Sequence, residues 1–122
     1  MTVRVTGAPD DEQARLAARS VASSNLVKTA IHGGDPNWGR IVCALGYSGS
    51  EVAIDRLTVE IAGLTVFTAG AGVEVDLEAV RHAFEQREIE VRADLGLGTG
   101  AAEAWGCDLS AEYVRINAEY TT

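Results

Sequence analysis

Asn25-Leu-Val-Lys-Thr-Ala-Ile-His-Gly-Gly-Asp-Pro-Asn-Trp-Gly-Arg-Ile-Val-Cys-Ala-Leu-Gly46 is the stretch on which the reading of this chain turns. Leu26 to Ile31 is a β-prone run that holds Lys28, the only lysine of the chain. Gly33 and Gly34 break it. Asp35 then reads as a side-chain N-cap, with Pro36 at the first helical position, where a missing N–H costs nothing. Trp38, Gly39 and Arg40 lead into the apolar run Ile41-Val42-Cys43-Ala44-Leu45, and Gly46 stops it. The pattern predicts a strand turning into a helix, with Trp38 wedged in the core and Gly39 permitting close helix packing. So dense a set of special residues marks either a site or a tightly packed joint.

Outward from this stretch the pattern alternates between the two classes of element. Toward the N-terminus, Thr2 to Thr6 sets Val3 and Val5 against polar neighbours, as a half-buried strand does. Gly7-Ala8-Pro9 turns the chain, and Asp10 or Asp11 caps a helix to about Ser23. Ala14, Ala17, Ala18, Val21 and Ala22 line one face of it, with Glu12, Arg15 and Arg19 opposite or beside. A face of alanines lets a helix lie close on a sheet. Toward the C-terminus, Tyr47 to Asp55 reads as a loop with Gly49 at its tip. Arg56–Ala62 and Leu64–Phe67 form a hairpin around Gly63. Asp76 caps a helix of Leu77 to Gln86, with Leu77, Val80 and Phe84 as its buried stripe. Glu88 to Leu95 is a further strand. Gly96-Leu97-Gly98-Thr99-Gly100 follows as a loop, and Ala101 to Cys107 as the returning strand of a hairpin. The fold class expected is α+β: a single compact domain over residues 1–122, with a mixed β-sheet of five or six strands and three helices packed on it.

Composition narrows the function classes. Apolar residues make up 47% and aromatics 6%, so the core is built from Ala, Val, Ile and Leu. A formal charge of −8, with nine arginines spread along the chain, argues against nucleic acid or an anionic membrane as partner. Met1 to Thr6 lacks the pattern of a signal peptide, and no apolar run approaches the roughly 20 residues of a membrane span. Cys43 and Cys107 lack metal-ligand spacing, and Cys43 is expected as a buried, reduced thiol on an apolar helix face. Together these features predict a soluble, cytoplasmic domain.

Individual chemical candidates are weak when read singly. Gly96 to Gly100 resembles a phosphate-cradling loop, but no confident helix follows and no Lys-Ser/Thr completes the motif, so a hairpin turn is the better reading. His32 and Asp35 form a conceivable acid–base pair with no activated nucleophile nearby, and His82 reads as a surface residue. Thr2 would become an N-terminal nucleophile if Met1 were removed, yet it also simply begins a strand. Lys28 and Arg40 offer two cations for an anion, with Asp35 placed to pair with either. The tail from Asp108 to Thr122 carries a cap-like Ser110 and a short helical or extended piece through Tyr113, Val114 and Ile116, and by composition it reads as a frayed end.

Longer motifs say more. Leu26-Val27-Lys28-Thr29-Ala30 and Asp35-Pro36-Asn37-Trp38-Gly39-Arg40-Ile41 resemble the signature of the ornithine/glutamate N-acetyltransferase family of arginine biosynthesis. The resemblance continues through Asp94 to Gly98, Ala104 to Leu109 and Tyr113 to Thr122, in the family's order. It implies the C-terminal part of a β chain freed by autocatalytic cleavage before a nucleophilic threonine. That threonine takes an acetyl group from N-acetylornithine, or in some members acetyl-CoA, and passes it to glutamate. No metal or cofactor is implied. The nucleophile and oxyanion-hole residues are expected upstream, so no catalytic residue is expected in this chain. Partners implied are the α chain and the N-terminal part of the β chain, in an oligomer. Asn117 and Thr122, five residues apart, match the family's substrate-binding positions. A stand-alone binding or assembly module without catalysis is the alternative.

Overall fold

The computed structural model describes residues 1–119. Six strands form one mixed sheet: β1 (Thr2–Ala8), β2 (Thr58–Ile61), β3 (Leu64–Thr68), β4 (Ala71–Gly72), β5 (Glu90–Asp94) and β6 (Gly100–Trp105). Five α-helices accompany them: α1 (Asp11–Ser23), α2 (Asn25–His32), α3 (Trp38–Gly46), α4 (Leu77–Ala83) and α5 (Ala111–Glu119), with a 3₁₀ turn at Ile54–Arg56. The architecture is α+β, as the sequence predicts. No helix among the described residues is long and apolar enough to cross a membrane.

The sheet order is β4-β3-β2-β5-β1-β6. Thus the N-terminal strand lies between the last two, parallel to β5 and antiparallel to β6. Register decides what each face carries. Val3 lies opposite Val91 and Ala104, and Val59 opposite Ala93, so one face is wholly apolar. The other face pairs Arg4 with Glu103 at 2.7 Å and Arg92 with Glu90 at 3.1 Å. A period of two separates these sets, so a slip of one residue would exchange them. Such exposed ion pairs are each worth about 0–1 kcal/mol. At the strand's start, the Thr2 hydroxyl donates to Glu88 at 2.9 Å. This bond, ahead of the bond and charge of the N-terminal ammonium, holds the Glu88 carboxyl below its usual range.

Helix α1 covers the apolar face. Ala14, Ala17, Ala18 and Val21 are fully buried against β1 and β6, and Asp10 caps the helix through Gln13 N. Helices α2 and α3 pack in turn on α1. The hairpins β2–β3 and β3–β4 turn on Ala62-Gly63 and Ala69-Gly70, all four with positive φ. That is the two-residue geometry whose twist matches a right-handed sheet.

Several expectations are corrected. Leu26 to Ile31 is helix, not strand. Ser24 caps it through Val27 N, and Val27, Ala30 and Ile31 fall on one buried face at helical spacing, which overrides the β-propensity of its branched residues. The next helix starts at Trp38 rather than Pro36. Asp35 N donates to Ala30 O at 2.9 Å and so still belongs to the end of α2. Asn37 supplies the cap to Arg40 N at 3.1 Å. Cys43 is exposed, on the outer side of α3. Leu77 is 80% exposed, and α4 stops at Ala83 instead of Gln86.

Gly96 to Gly100 is a crossover, not a hairpin turn, because β1 separates β5 from β6. The loop passes tightly over the end of β1. Leu97 N and Gly98 N both donate to Gly7 O, at 2.7 and 2.9 Å. A Cβ on Gly98 would lie 2.7 Å from Ala8 O, and one on Gly100 would strike the Asp10 carbonyl. Gly100→Ala should therefore lower stability by about 1–3 kcal/mol, read as the midpoint of chemical denaturation. Gly46→Ala, with nothing within 4 Å of the added methyl, should be neutral or slightly stabilising.

Candidate functional site

Two regions gather the residues that the sequence singles out, and the structure gives them different work. Around the α2–α3 turn, the cationic candidates serve the fold. Arg40 Nη1 donates to Leu26 O at 2.8 Å and to Thr29 Oγ1 at 3.1 Å, tying α3 to the first turns of α2. Asp35 accepts from Asn37 Nδ2 at 3.2 Å rather than pairing with Arg40 or Lys28. Trp38 stacks at a tilt on Phe67, with ring centroids 5.1 Å apart. It is 39% exposed, so it lies over the rim of the core, not inside it. The glycine that admits its indole is Gly72 on β4, whose added Cβ would lie 2.5 Å from Trp38 Nε1. Gly39 meets only Asn37 Oδ1, at 3.4 Å, and packs against no other helix. This stretch is a joint between two helices and the β3–β4 edge of the sheet.

The other candidates are spread apart. His32 does not pair with Asp35; its Nδ1 donates to Asp108 Oδ2 at 2.9 Å. His82 on α4 faces Glu85, just past the end of that helix, at 3.5 Å, both exposed. Thr2 lies on a strand with its hydroxyl engaged by Glu88. The N–H groups of Leu97 and Gly98 are spent on Gly7 O, and a strand, not a helix, follows the loop, so it offers no phosphate cradle. Cys43 and Cys107 are free and exposed. Among the described residues no group of His, Cys, Asp and Glu is arranged to hold a metal ion.

The tail carries the helix that its cap-like Ser110 suggests. Ser110 Oγ accepts from Tyr113 N at 2.9 Å and Ser110 O from Val114 N at 3.1 Å, which starts α5. Arg115 links to Glu119 at 3.1 Å and Glu112 at 3.9 Å along one side of the helix. All nine residues of α5 are exposed, including the apolar Tyr113, Val114 and Ile116. Asn117 sits in its last turn, with Nδ2 donating to Tyr113 O at 2.8 Å. Among the described residues this amide bonds only its own helix, a bond that can be exchanged for a ligand. Thr122 lies outside the described residues. The contacts that sequence reasoning missed are those of Asp108 and Leu109, which carry the chain onto α2. Lone residues at a strand end give no periodic signal.

A sheet with helices on one face, the Asp35-Pro36-Asn37-Trp38-Gly39-Arg40 joint and an exposed C-terminal helix define a class, and comparison with known proteins gives the same one. The chain belongs to the ArgJ family, whose model matches residues 1–122. It is 49% identical over its full length to the arginine biosynthesis bifunctional protein ArgJ of Deinococcus radiodurans, of which it covers 31%. It is 48% identical over 98% of its length to the glutamate N-acetyltransferase of Methanosarcina mazei, again covering 31% of that protein. The crystal structure of the arginine biosynthesis bifunctional protein ArgJ from Bacillus halodurans superposes with a TM-score of 0.91 at 42% identity, over 98% of this chain and 56% of that one. The chain thus spans under a third of the length of these curated relatives.

Arg40→Ala should cost about 1 kcal/mol in chemical denaturation, the net worth of its hydrogen bonds. Millimolar inorganic phosphate should leave the wild-type midpoint unmoved. Saturable stabilisation by phosphate would instead return Lys28 and Arg40 to the role of an anion site.

Proposed function

We propose that this chain is the C-terminal domain of a glutamate N-acetyltransferase of the ornithine-dependent kind, working in arginine biosynthesis in the cytoplasm. On this reading its contribution is part of the amino-acid pocket, through Asn117 and Thr122. The observation that carries the reading is the family match over all 122 residues, set against relatives more than three times as long. The solved relative, of which the chain covers 56%, is itself little more than half the length of those curated proteins. That difference fits a polypeptide divided into two chains.

The chemistry proposed is acyl transfer in two steps. A threonine hydroxyl on the upstream polypeptide attacks the acetyl carbonyl of N-acetylornithine, and its proton passes to a base. The tetrahedral intermediate collapses, ornithine leaves with a proton on its amine, and an acetyl–threonine ester remains. The amine of glutamate then attacks the ester, N-acetylglutamate departs, and the hydroxyl is restored. Each oxyanion needs donors placed in advance, and these too belong upstream. Asn117 suits the binding part: its N–H₂ donates to a carboxylate and its carbonyl accepts from an ammonium group. The Thr122 hydroxyl complements it. Acetyl-CoA is an additional acetyl donor on the same reading, and the α chain, the rest of the β chain and further copies are the partners.

Incubated alone with N-acetylornithine and glutamate, the chain should form no N-acetylglutamate above blank. Joined to the upstream polypeptide it should. In that assembly Asn117→Ala should raise KM for the amino acid about 10- to 100-fold, the loss of one hydrogen bond to a charged group. Transfer by the isolated chain would refute the reading, and so would an unchanged KM in Asn117→Ala. A binding or assembly module predicts silence in every arm.

A further inference from the structure

Helix α5 buries none of its residues, so something other than packing must set its direction. Among the described residues, two bonds, both to α2, hold the segment that leads into it. Leu109 N donates to Lys28 O at 3.3 Å, and Asp108 Oδ2 accepts from His32 Nδ1 at 2.9 Å. Lys28 and His32 stand four residues apart and so lie one above the other on one face of the helix. The segment Asp108-Leu109 is thereby laid along a full turn of α2. Ser110, the next residue, caps α5. From β6 to α5 the direction of the chain passes through this contact.

The surroundings fit a hinge point more than a ligand site. His32 and Asp108 border a hollow of about 210 Å³ with Ile31, Phe84, Arg87 and Ile89. Both side chains are half exposed, at 51%. Removing their bond leaves no buried polar atom stranded. It would free the segment rather than unfold the domain. By contrast, the start of α2 is secured independently, through the Ser24 cap and Arg40.

We propose that His32 and Asp108 form a clamp that orients α5, making His32 a positioning residue for the amino-acid pocket. The clamp rests on the reading of Asn117 as a substrate contact, since α5 is the element that carries Asn117. Its own geometry does not depend on that reading. His32 touches no substrate; it acts through Asp108 and the direction of the helix.

The test compares His32→Leu, which removes the donor, with His32→Asn, whose amide places an N–H close to where Nδ1 stands. In this chain, His32→Leu should speed proteolytic cleavage within residues 106–110, and amide exchange in α5, by about two- to fivefold. That is the fold-change equivalent of an exposed ion pair. The global unfolding midpoint should stay put, and His32→Asn should restore both rates. In the enzyme assembled with its upstream polypeptide, His32→Leu should raise KM for the amino acid by a similar factor with kcat unchanged. Unchanged cleavage in His32→Leu, or no rescue by His32→Asn, would overturn the clamp. A loosened α5 with unchanged KM, where Asn117→Ala does raise KM, would overturn the positioning role. Asn117→Ala without effect defeats the substrate reading instead, and the cleavage arm still decides the clamp by itself.

Discussion

The insertion of β1 between β5 and β6 is the constraint on which the rest depends. Residues at the start of the chain pair with residues some 90 and 100 positions later. Until the first strand is in place β6 has no neighbour and β5 has only β2. Everything nearby conforms to this. The Gly96–Gly100 crossover must pass over the end of β1, which is why Gly98 and Gly100 have no room for a Cβ. The alanine face of α1 lets the helix lie on β1 and β6 together. With β6 seated beside β1, the chain leaves the sheet at Trp105 close to α2, where Asp108 and Leu109 find their partners.

Much of this was legible in the residues. The alternation of Val3 and Val5, the alanines of α1, the Asp76 cap and the Gly63 hairpin all follow from local rules, and the structure keeps them. What failed was non-local or near-degenerate. Leu26 to Ile31 satisfies both a β-propensity reading and a helical face of Val27, Ala30 and Ile31. The Ser24 cap, together with packing on α1, decides for the helix. Asp35 and Asn37 are both good caps two residues apart, and the Asp35 N–H bond back to Ala30 decides between them. No local signal says that a third strand lies between β5 and β6, so the glycine loop was bound to read as a hairpin.

The same division applies to function. The motif that identifies the family, Asp35 to Ile41, is a structural joint whose Arg40 and Trp38 are occupied by the fold. Asn117, tied by resemblance to substrate, sits on a helix that buries none of its described residues. On the functional reading proposed above, the family's loudest motif and its working surface are different things. A joint needs several unusual residues at fixed spacing, whereas an Asn on an exposed helix looks like any polar surface residue. On the functional reading advanced above, the domain is a rigid frame carrying an arm, and the arm finds its own packing on the polypeptide upstream.

Native-state amide hydrogen exchange on the chain alone tests this division most directly. The account predicts that β1, β5, β6 and α1 exchange through one common opening with the highest protection in the molecule, because none of them is complete without β1. It predicts that α5 exchanges orders of magnitude faster, near the rate of a helix held only at its first turn. Protection of α5 equal to that of β1, or a β6 that opens independently of β1 and β5, would contradict it.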